Sequence, residues 1–210
     1  MSVLYLPGGN IIRIKNKLTN LRAKIGVNHN VEYTVKDANG RTKKLFQPWS
    51  WVSSLIHHGF LSPYHPKISG IFGYWTAQVR IANTVVNTGI ATMPALTGGT
   101  GTSYGAWKYI GVGTGTAASA ATDTALGAEI LDSGLVRGTS TNTAVTTDVA
   151  NDTLQALLSF SVTGAKAVTE SGLFNHIGTA AGTMLARQTF SAINVVNGDT
   201  LQVTWKIDFD

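Results

Sequence analysis

The stretch 200-TLQVTWKIDF-209 alternates apolar and polar side chains at every position after Thr200. Successive side chains of an extended strand point to opposite faces, so this period of two places all the apolar residues on one face. The apolar set is Leu201, Val203, Trp205, Ile207 and Phe209. The pattern predicts a half-buried β-strand whose indole side chain, Trp205, has a structural role in the core.

Short segments with strand-like patterns recur about ten residues apart through the C-terminal half of the chain. They are Gly134–Thr139, Thr143–Val149, Thr153–Val162, Ala167–Phe174 and Met184–Phe190. Turn-forming residues such as Asn151-Asp152 separate them. This spacing is typical of sandwiches and jelly rolls. We therefore predict a mainly β fold in which residues 81–210 form a jelly-roll-like β-sandwich, with Ala121–Ile130 as either a short helix or an extended crossover.

The N-terminal part of the chain also carries strand patterns. The clearest alternating apolar residues are Val31, Tyr33 and Val35. The tetrapeptide 37-DANG-40 contains Asn-Gly, the strongest short hairpin signal, so Arg41–Phe46 is expected to be the returning strand. Residues 1–46 are therefore predicted to form a basic β-hairpin arm.

The positive charge of the protein is concentrated in this arm. Residues 1–44 carry nine Lys or Arg and two acidic residues, whereas residues 45–210 carry seven basic and nine acidic residues. A basic segment on a slightly acidic body favours contact with an acidic partner surface, and nucleic acid is one such partner. A solvated strand face explains the charge equally well. The basic candidates for partner docking are Arg13, Lys15, Lys24, Lys43 and Lys44.

Aromatic residues cluster in the middle of the chain. The segment from Phe46 to Trp75 contains eight of the 18 aromatic residues and three of the five prolines. No regular period fits, although Ser50–His58 is predicted to form a short helix with Ser50 as its cap. Residues 47–80 are therefore predicted to be an inserted loop, either held by its own aromatic side chains or docked on a partner. We favour docking, with the candidates Trp49, Trp51, Phe60, Tyr64 and Trp75.

Three glycines in the loop 111-GVGTGTAASAATDTAL-126 invite comparison with phosphate-binding loops. A dinucleotide-binding fingerprint requires a further glycine where Thr116 stands, and no Gly-Lys-Ser/Thr sequence follows. We expect Gly111, Gly113 and Gly115 to let a strand and a crossing loop approach closely. No nucleotide is expected to bind.

Other catalytic or metal-binding patterns are weak. His57, His58 and His65 lie close in sequence, but residues 46–73 contain no Asp or Glu that would complete a metal site. The chain has no Gly-x-Ser-x-Gly nucleophile elbow and no cysteine. We therefore expect no catalytic residue, no metal and no cofactor.

Glu170 and Arg187 fall on neighbouring predicted strands. A buried carboxylate–guanidinium pair between them would set the register of the two strands, so both are predicted to be structural residues. The uncharged stretches Leu45–Pro66 and Ile81–Trp107 are broken by Gly, Pro, Ser, Thr or His, so we expect no membrane span. The N-terminal residues do not form a signal-peptide pattern, and none is expected.

Several strings occur in an order that resembles a family of small structural proteins of tailed bacteriophages, often labelled tail-fibre or virion proteins. The strings are 87-NTG-89, 110-IGVGTGT-116, 121-ATDTALGAE-129, 169-TESGLFN-175, 184-MLAR-187 and 199-DTL-201. The resemblance covers residues 82–209, and the hairpin 35-VKDANGR-41 also fits it. It implies a virion component without enzymatic activity, assembled in the cytoplasm of the bacterial host.

The sequence lacks the helical or repetitive shaft of a fibre, so we expect a capsid decoration or cement protein on the particle exterior. The alternative is a tail, collar or fibre-anchoring component, with receptor or glycan binding through Trp49, Trp51 and Trp75. An enzyme acting on cell-wall glycans rests on analogy alone. The expected partners are other virion proteins and further copies of this chain, with neither nucleic acid nor membrane.

Overall fold

Strands are the predominant regular structure of the computed structural model, which describes residues 4–5, 11–12, 30–97, 105–179 and 181–209. The strands are β1 (Leu4–Tyr5), β2 (Ile11–Ile12), β3 (Asn30–Lys36), β4 (Leu45–Pro48), β5 (Gly73–Thr76), β6 (Val79–Ala82), β7 (Thr84–Val85), β8 (Tyr109–Gly113), β9 (Gly138–Thr139), β10 (Thr141–Val145), β11 (Thr153–Ser161), β12 (Lys166–Phe174), β13 (Met184–Val195) and β14 (Thr200–Asp208). The helices are α1 (Ser50–His57) and α2 (Asn87–Thr97). The prediction of a mainly β fold is confirmed.

Ten of these strands form two five-stranded antiparallel sheets. The first sheet has the order β10-β11-β14-β3-β6, and the second has the order β7-β13-β12-β8-β9. Strands β1 and β2 pair with each other, as do β4 and β5, outside the two large sheets. The first sheet therefore ends at β6 and the second at β7, two strands that follow each other directly in the chain.

The two large sheets pack face to face. The ring centroids of Tyr33 on β3 and Phe190 on β13 are 4.3 Å apart. The hydroxyl groups of Tyr33 and of Ser171 on β12 share a 2.8 Å hydrogen bond across the interface. Trp205 on β14 is fully buried in the same apolar cluster. The architecture is therefore sandwich-like, as the strand spacing predicts.

Four consecutive strands connect the two sheets as a folded ribbon. Strand β11 pairs with β14 in the first sheet, and β12 pairs with β13 in the second. The chain thus passes to the second sheet after β11 and returns to the first before β14. This nesting agrees with a sandwich, while the finer jelly-roll assignment stays a prediction.

Strand β13 is the central structural element of the molecule. Its residues from Met184 to Ile193 are buried without alternation, because both faces of the strand are covered. Helices α1 and α2 contact it from outside the sandwich, and β12 and β7 pair with its edges. The strand therefore extends beyond the predicted Met184–Phe190, since burial on both faces removes the alternation of apolar and polar side chains that would mark its end.

Strand β3 belongs to the first sheet and not to a separate arm. It pairs with β14 on one side and with β6 on the other. The first sheet therefore crosses the predicted domain boundaries at residues 46 and 80, which is a correction to the division of the chain. The physical reason is that the apolar face of β3 is buried only when this strand lies inside a sheet. Residues 13–29 of the predicted arm lie outside the described residues.

The turn after β3 forms as predicted, but the returning strand does not. The backbone N–H of Asp37 donates to the carbonyl of Arg41 at 2.9 Å, and Gly40 has φ +77°. Only a single bridge, between Lys36 and Thr42, follows the turn. The chain then leaves β3, and β4 pairs with β5 instead.

Smaller differences concern the ends of elements. Residues 121–130 contain no helix, so the crossover alternative holds there. Trp49 occupies the N-cap position of α1 and no side chain caps that helix, so the assignment of Ser50 as its cap is wrong. Phe209 follows the last strand and is half exposed, because β14 ends at Asp208.

Replacing Trp205 with alanine should lower the free energy of unfolding by about 3–5 kcal/mol, because the large buried side chain leaves a cavity. Urea denaturation followed by circular dichroism measures this change. Phe209→Ala is the matched control, and its effect should stay within about 0.5 kcal/mol because that ring is half exposed. Equal effects of the two substitutions would contradict the burial of the indole.

Candidate functional site

The segment 45–76 folds as a small unit on the side of the sandwich, which we call the aromatic insert. Strands β4 and β5 form its hairpin, and α1 lies between them in sequence. Val52 and Ile56 on the buried face of α1 fix the helix against β13. The carbonyl of Pro63 accepts a 2.9 Å hydrogen bond from the backbone N–H of Ala192. The insert is therefore anchored to the central strand at two separate places.

A chain of ring contacts holds the insert together. The ring of Phe46 lies 5.5 Å from that of Trp75 and 5.9 Å from that of His65. Phe72 continues the chain, 5.8 Å from His65 and 6.2 Å from Trp51. Edge-to-face and tilted contacts at such distances are favourable. The aromatic residues thus support each other, which was one of the two interpretations of residues 47–80.

The insert also exposes much apolar surface. It carries nine of the 16 exposed large apolar side chains found among the described residues. They are Trp49, Trp51, Leu55, Phe60, Tyr64, Ile68, Ile71, Tyr74 and Trp75. Phe60 is 81% exposed, the largest fraction in this set. All five aromatic docking candidates are thus exposed to solvent.

The basic docking candidates do not share one environment. Lys44 is exposed. Lys43 instead forms a 2.7 Å ion pair with the buried carboxylate of Asp199, which links the turn after β3 to the turn before β14. Lys43 is therefore engaged within the fold. Arg13, Lys15 and Lys24 lie outside the described residues.

The predicted contact between Glu170 and Arg187 is present, and both side chains are buried. The Nε and Nη2 groups of Arg187 donate to Oε2 of Glu170 at 2.9 and 2.7 Å. Nη1 of Arg187 also forms a 2.7 Å ion pair with Asp123. Burial by itself lowers the pKa of Arg187, but hydrogen bonds and charges from Asp123 and Glu170 outweigh it and raise that pKa.

The same carboxylate fastens the loop after β8. Backbone N–H groups of Gly115, Gly127 and Ala128 donate to Glu170 at 2.9, 3.0 and 2.7 Å. A Cβ atom at Gly115 would lie 2.3 Å from Oε1 of Glu170, so a larger residue does not fit there. The glycine-rich loop therefore surrounds a carboxylate of this protein, which explains its glycines without a phosphate ligand.

The sequence patterns did not indicate a second buried arginine, Arg137. Arg137 forms a bidentate pair with Glu129, with distances of 2.8 and 2.6 Å. Its guanidinium also stacks on the ring of Phe174, 3.5 Å from the centroid. No local sequence signal marks this residue, because its partners come from separate strands and loops. The outer face of the second sheet is thus fastened by two arginine-centred networks.

The histidines of the insert do not gather around one point. The rings of His57 and His58 are 4.9 Å apart, whereas Nδ1 of His65 lies 3.0 Å from the carbonyl of Pro66. Burial lowers the pKa of His57, and the charge of His58 lowers it further. Within the described ranges, no group of three or more His, Asp or Glu side chains is placed to hold a metal ion.

The described helices are also too short or too polar to cross a membrane.

Comparisons with protein-family models, with curated proteins and with solved structures return no match for the chain. The resemblance to structural proteins of tailed bacteriophages therefore stays a prediction from the sequence strings.

Arg187→Leu should lower the free energy of unfolding by about 3–5 kcal/mol, because it leaves the carboxylate of Glu170 buried without its cationic partner. The double variant Glu170→Gln/Arg187→Leu should recover part of this loss, since the unpaired charge is removed. Chemical denaturation of the two variants measures both values. Lys166→Met, which breaks the exposed pair with Asp132, is the control and should change little.

The pKa of His57 is lower in the folded protein than in the unfolded chain, so protonation favours unfolding. This penalty is absent above the ordinary histidine pKa of about 6.5 and grows as the pH falls below it. His57→Gln should therefore reduce the loss of stability between about pH 7 and about pH 5. Urea midpoints of both proteins across this window test the slope; identical slopes would contradict the assignment.

Proposed function

We propose that the chain is a non-enzymatic structural protein of a tailed bacteriophage virion, a capsid decoration or cement protein that docks through the aromatic insert. One observation carries the proposal: a folded insert, anchored on β13, exposes nine large apolar side chains. Exposed apolar surface of this extent is costly unless a partner covers it. Other virion subunits, including further copies of this chain, are the proposed partners.

The ring contacts within the insert support docking. Trp51 and Trp75 stand at the two ends of the chain of ring contacts, and both are about half exposed. A preformed apolar surface loses little conformational entropy on binding. Tryptophan is also enriched among the residues that dominate protein interfaces. These two side chains and Phe60 are therefore the proposed centre of the contact.

The buried ionisable groups support a structural role for the sandwich. Glu170 and Arg187 are engaged with each other and with the loop after β8, as Glu129 and Arg137 are elsewhere on the second sheet. Both networks tie a long loop to a sheet. A robust sandwich with little exposed charge suits a protein that is held in a lattice of other subunits.

A tail, collar or fibre-anchoring role is the alternative, and it uses the same insert with fewer copies. Quantitative mass spectrometry of purified virions, calibrated against the major shell protein, separates the two. Hundreds of copies are expected for a decoration protein, because a closed shell repeats its contact site by symmetry. A dozen copies or fewer would place the protein at a tail or portal vertex, and absence from virions would refute both roles.

Phe60→Ser should weaken binding of the purified protein to particles that lack it by roughly tenfold or more, because an exposed apolar contact is lost. Leu131→Ser is the matched control: that side chain is also well exposed but lies outside the insert. Cosedimentation with the particles measures both. If the two variants bind as the unmodified protein does, the insert is not the docking surface.

A further inference from the structure

A cleft of about 600 Å³ opens between the aromatic insert and the edge of the sandwich. Its walls come from β4, α1 and β5 on one side and from the β6–β7 segment on the other, with one residue of β13, Gln188, at its inner end. Strands β6 and β7 are the edges of the two large sheets. The cleft therefore lies where the sandwich is open at its side, and its volume is typical of small-ligand sites.

Two carboxamide side chains in this cleft have buried atoms that lack a hydrogen-bond partner among the described residues. Gln188 is only 1% exposed, and its Oε1 atom meets no donor among the described residues. Its Nε2 group donates to the carbonyl of Thr189 at 2.8 Å. Asn83 lies between β6 and β7 and lines the same cleft. Both its amide oxygen and its amide nitrogen are buried without a hydrogen-bond partner among the described residues. Buried polar atoms are almost always paired, so these three atoms call for a ligand with both donors and acceptors.

Two aromatic rings stand at the same cleft. Trp49 and Tyr74 lie 5.1 Å apart, tilted by 48°, and each is exposed by about two fifths. Tyr74 and Trp75 are neighbours on β5, so they point to opposite faces of the hairpin. The Trp49–Tyr74 pair therefore belongs to the cleft, apart from the chain of ring contacts that ends at Trp75. Exposed aromatic faces attract C–H groups through the negative charge of their π-systems.

The lining carries little free charge. Among the described residues that line the cleft, Arg80 alone has a permanently charged side chain, and its guanidinium forms a 2.5 Å pair with Glu32. The imidazole of His57 also lines the cleft, and its lowered pKa favours the neutral form. An uncharged ligand therefore fits better than an anion or a cation.

The edge of β6 is closed to an extended peptide at this point. Oε1 of Gln47 accepts a 2.8 Å hydrogen bond from the backbone N–H of Arg80, and Nε2 of Gln47 donates to the carbonyl of Arg80 at 3.2 Å. A peptide that added a strand here would need these same backbone groups. The occupied edge argues against peptide binding by strand addition.

We propose that the cleft binds an uncharged saccharide. Neighbouring hydroxyl groups of one sugar supply donors to Oε1 of Gln188 and both donors and acceptors to the amide of Asn83. The C–H face of the sugar ring packs on Trp49 or Tyr74. This inference does not depend on the docking of the insert on a virion, because the Trp49–Tyr74 pair lies outside the proposed centre of the docking contact.

The test begins with an array of bacterial surface oligosaccharides, neutral and acidic, with a peptide array beside it. The strongest neutral saccharide is then titrated against the full chain, and tryptophan fluorescence and ligand-observed NMR report binding. A neutral saccharide should bind, and a free monosaccharide series then shows whether one sugar ring suffices. A blank array, preference for acidic saccharides, or binding of peptides alone overturns the proposal.

Matched variants assign any binding to the cleft. Trp49→Ala should weaken saccharide binding roughly tenfold or more, whereas Trp51→Ala, on the other ring chain, should leave it unchanged. Gln188→Met should also weaken binding, yet it should change the urea midpoint little. It removes the buried, unpaired Oε1 atom together with a single hydrogen bond, from Nε2 to the carbonyl of Thr189, and it places an apolar group of similar size there. Equal losses for Trp49→Ala and Trp51→Ala, or full binding by Gln188→Met, would contradict this site.

The same variants separate this inference from the proposed function. Trp51→Ala and Phe60→Ser should impair binding to particles and spare saccharide binding. Gln188→Met should show the reverse, because this buried residue lies outside the insert. Failure of saccharide binding with intact particle docking refutes the cleft alone, and the opposite result refutes the docking alone.

Discussion

The carboxylate of Glu170 accepts five hydrogen bonds, two from Arg187 and three from backbone N–H groups of the loop after β8. This carboxylate is fully buried, so its charge is tolerated only because the surrounding donors replace water. The contact joins β12, β13 and the long crossover in one place. The loop held by this carboxylate covers the outer face of the second sheet, and β13 is buried from Met184 to Ile193.

Strand β13 then carries the two surfaces to which we assign functions. Helix α1 rests on it, and the backbone of Ala192 binds the insert through Pro63. The same strand presents the amide of Gln188 to the cleft at the sandwich edge. The proposed docking surface and the cleft are thus both positioned by this one strand.

The alternation of β14 and the burial of Trp205 follow from the sequence because the strand period is a local property of the chain. The Asn-Gly turn at residues 37–40 and helix α1 are local as well. The sequence patterns also correctly indicated the aromatic cluster and the possibility of a contact between Glu170 and Arg187. Strand β13 shows the limit of pattern reading: burial on both faces removed the alternation that marks where a strand ends.

The sequence by itself thus determined the mainly β class, the face of β14 that is buried and the concentration of aromatic residues on one segment. Only the tertiary structure decided that β3 lies inside the first sheet, that Lys43 pairs with Asp199 and that Arg137 stacks on Phe174. It also decided that Asn83 and Gln188, over 100 residues apart, meet in one cleft. The physical reason is the same in each case: these contacts join residues that are distant in sequence, and no local periodicity or propensity encodes which distant partner a side chain will meet.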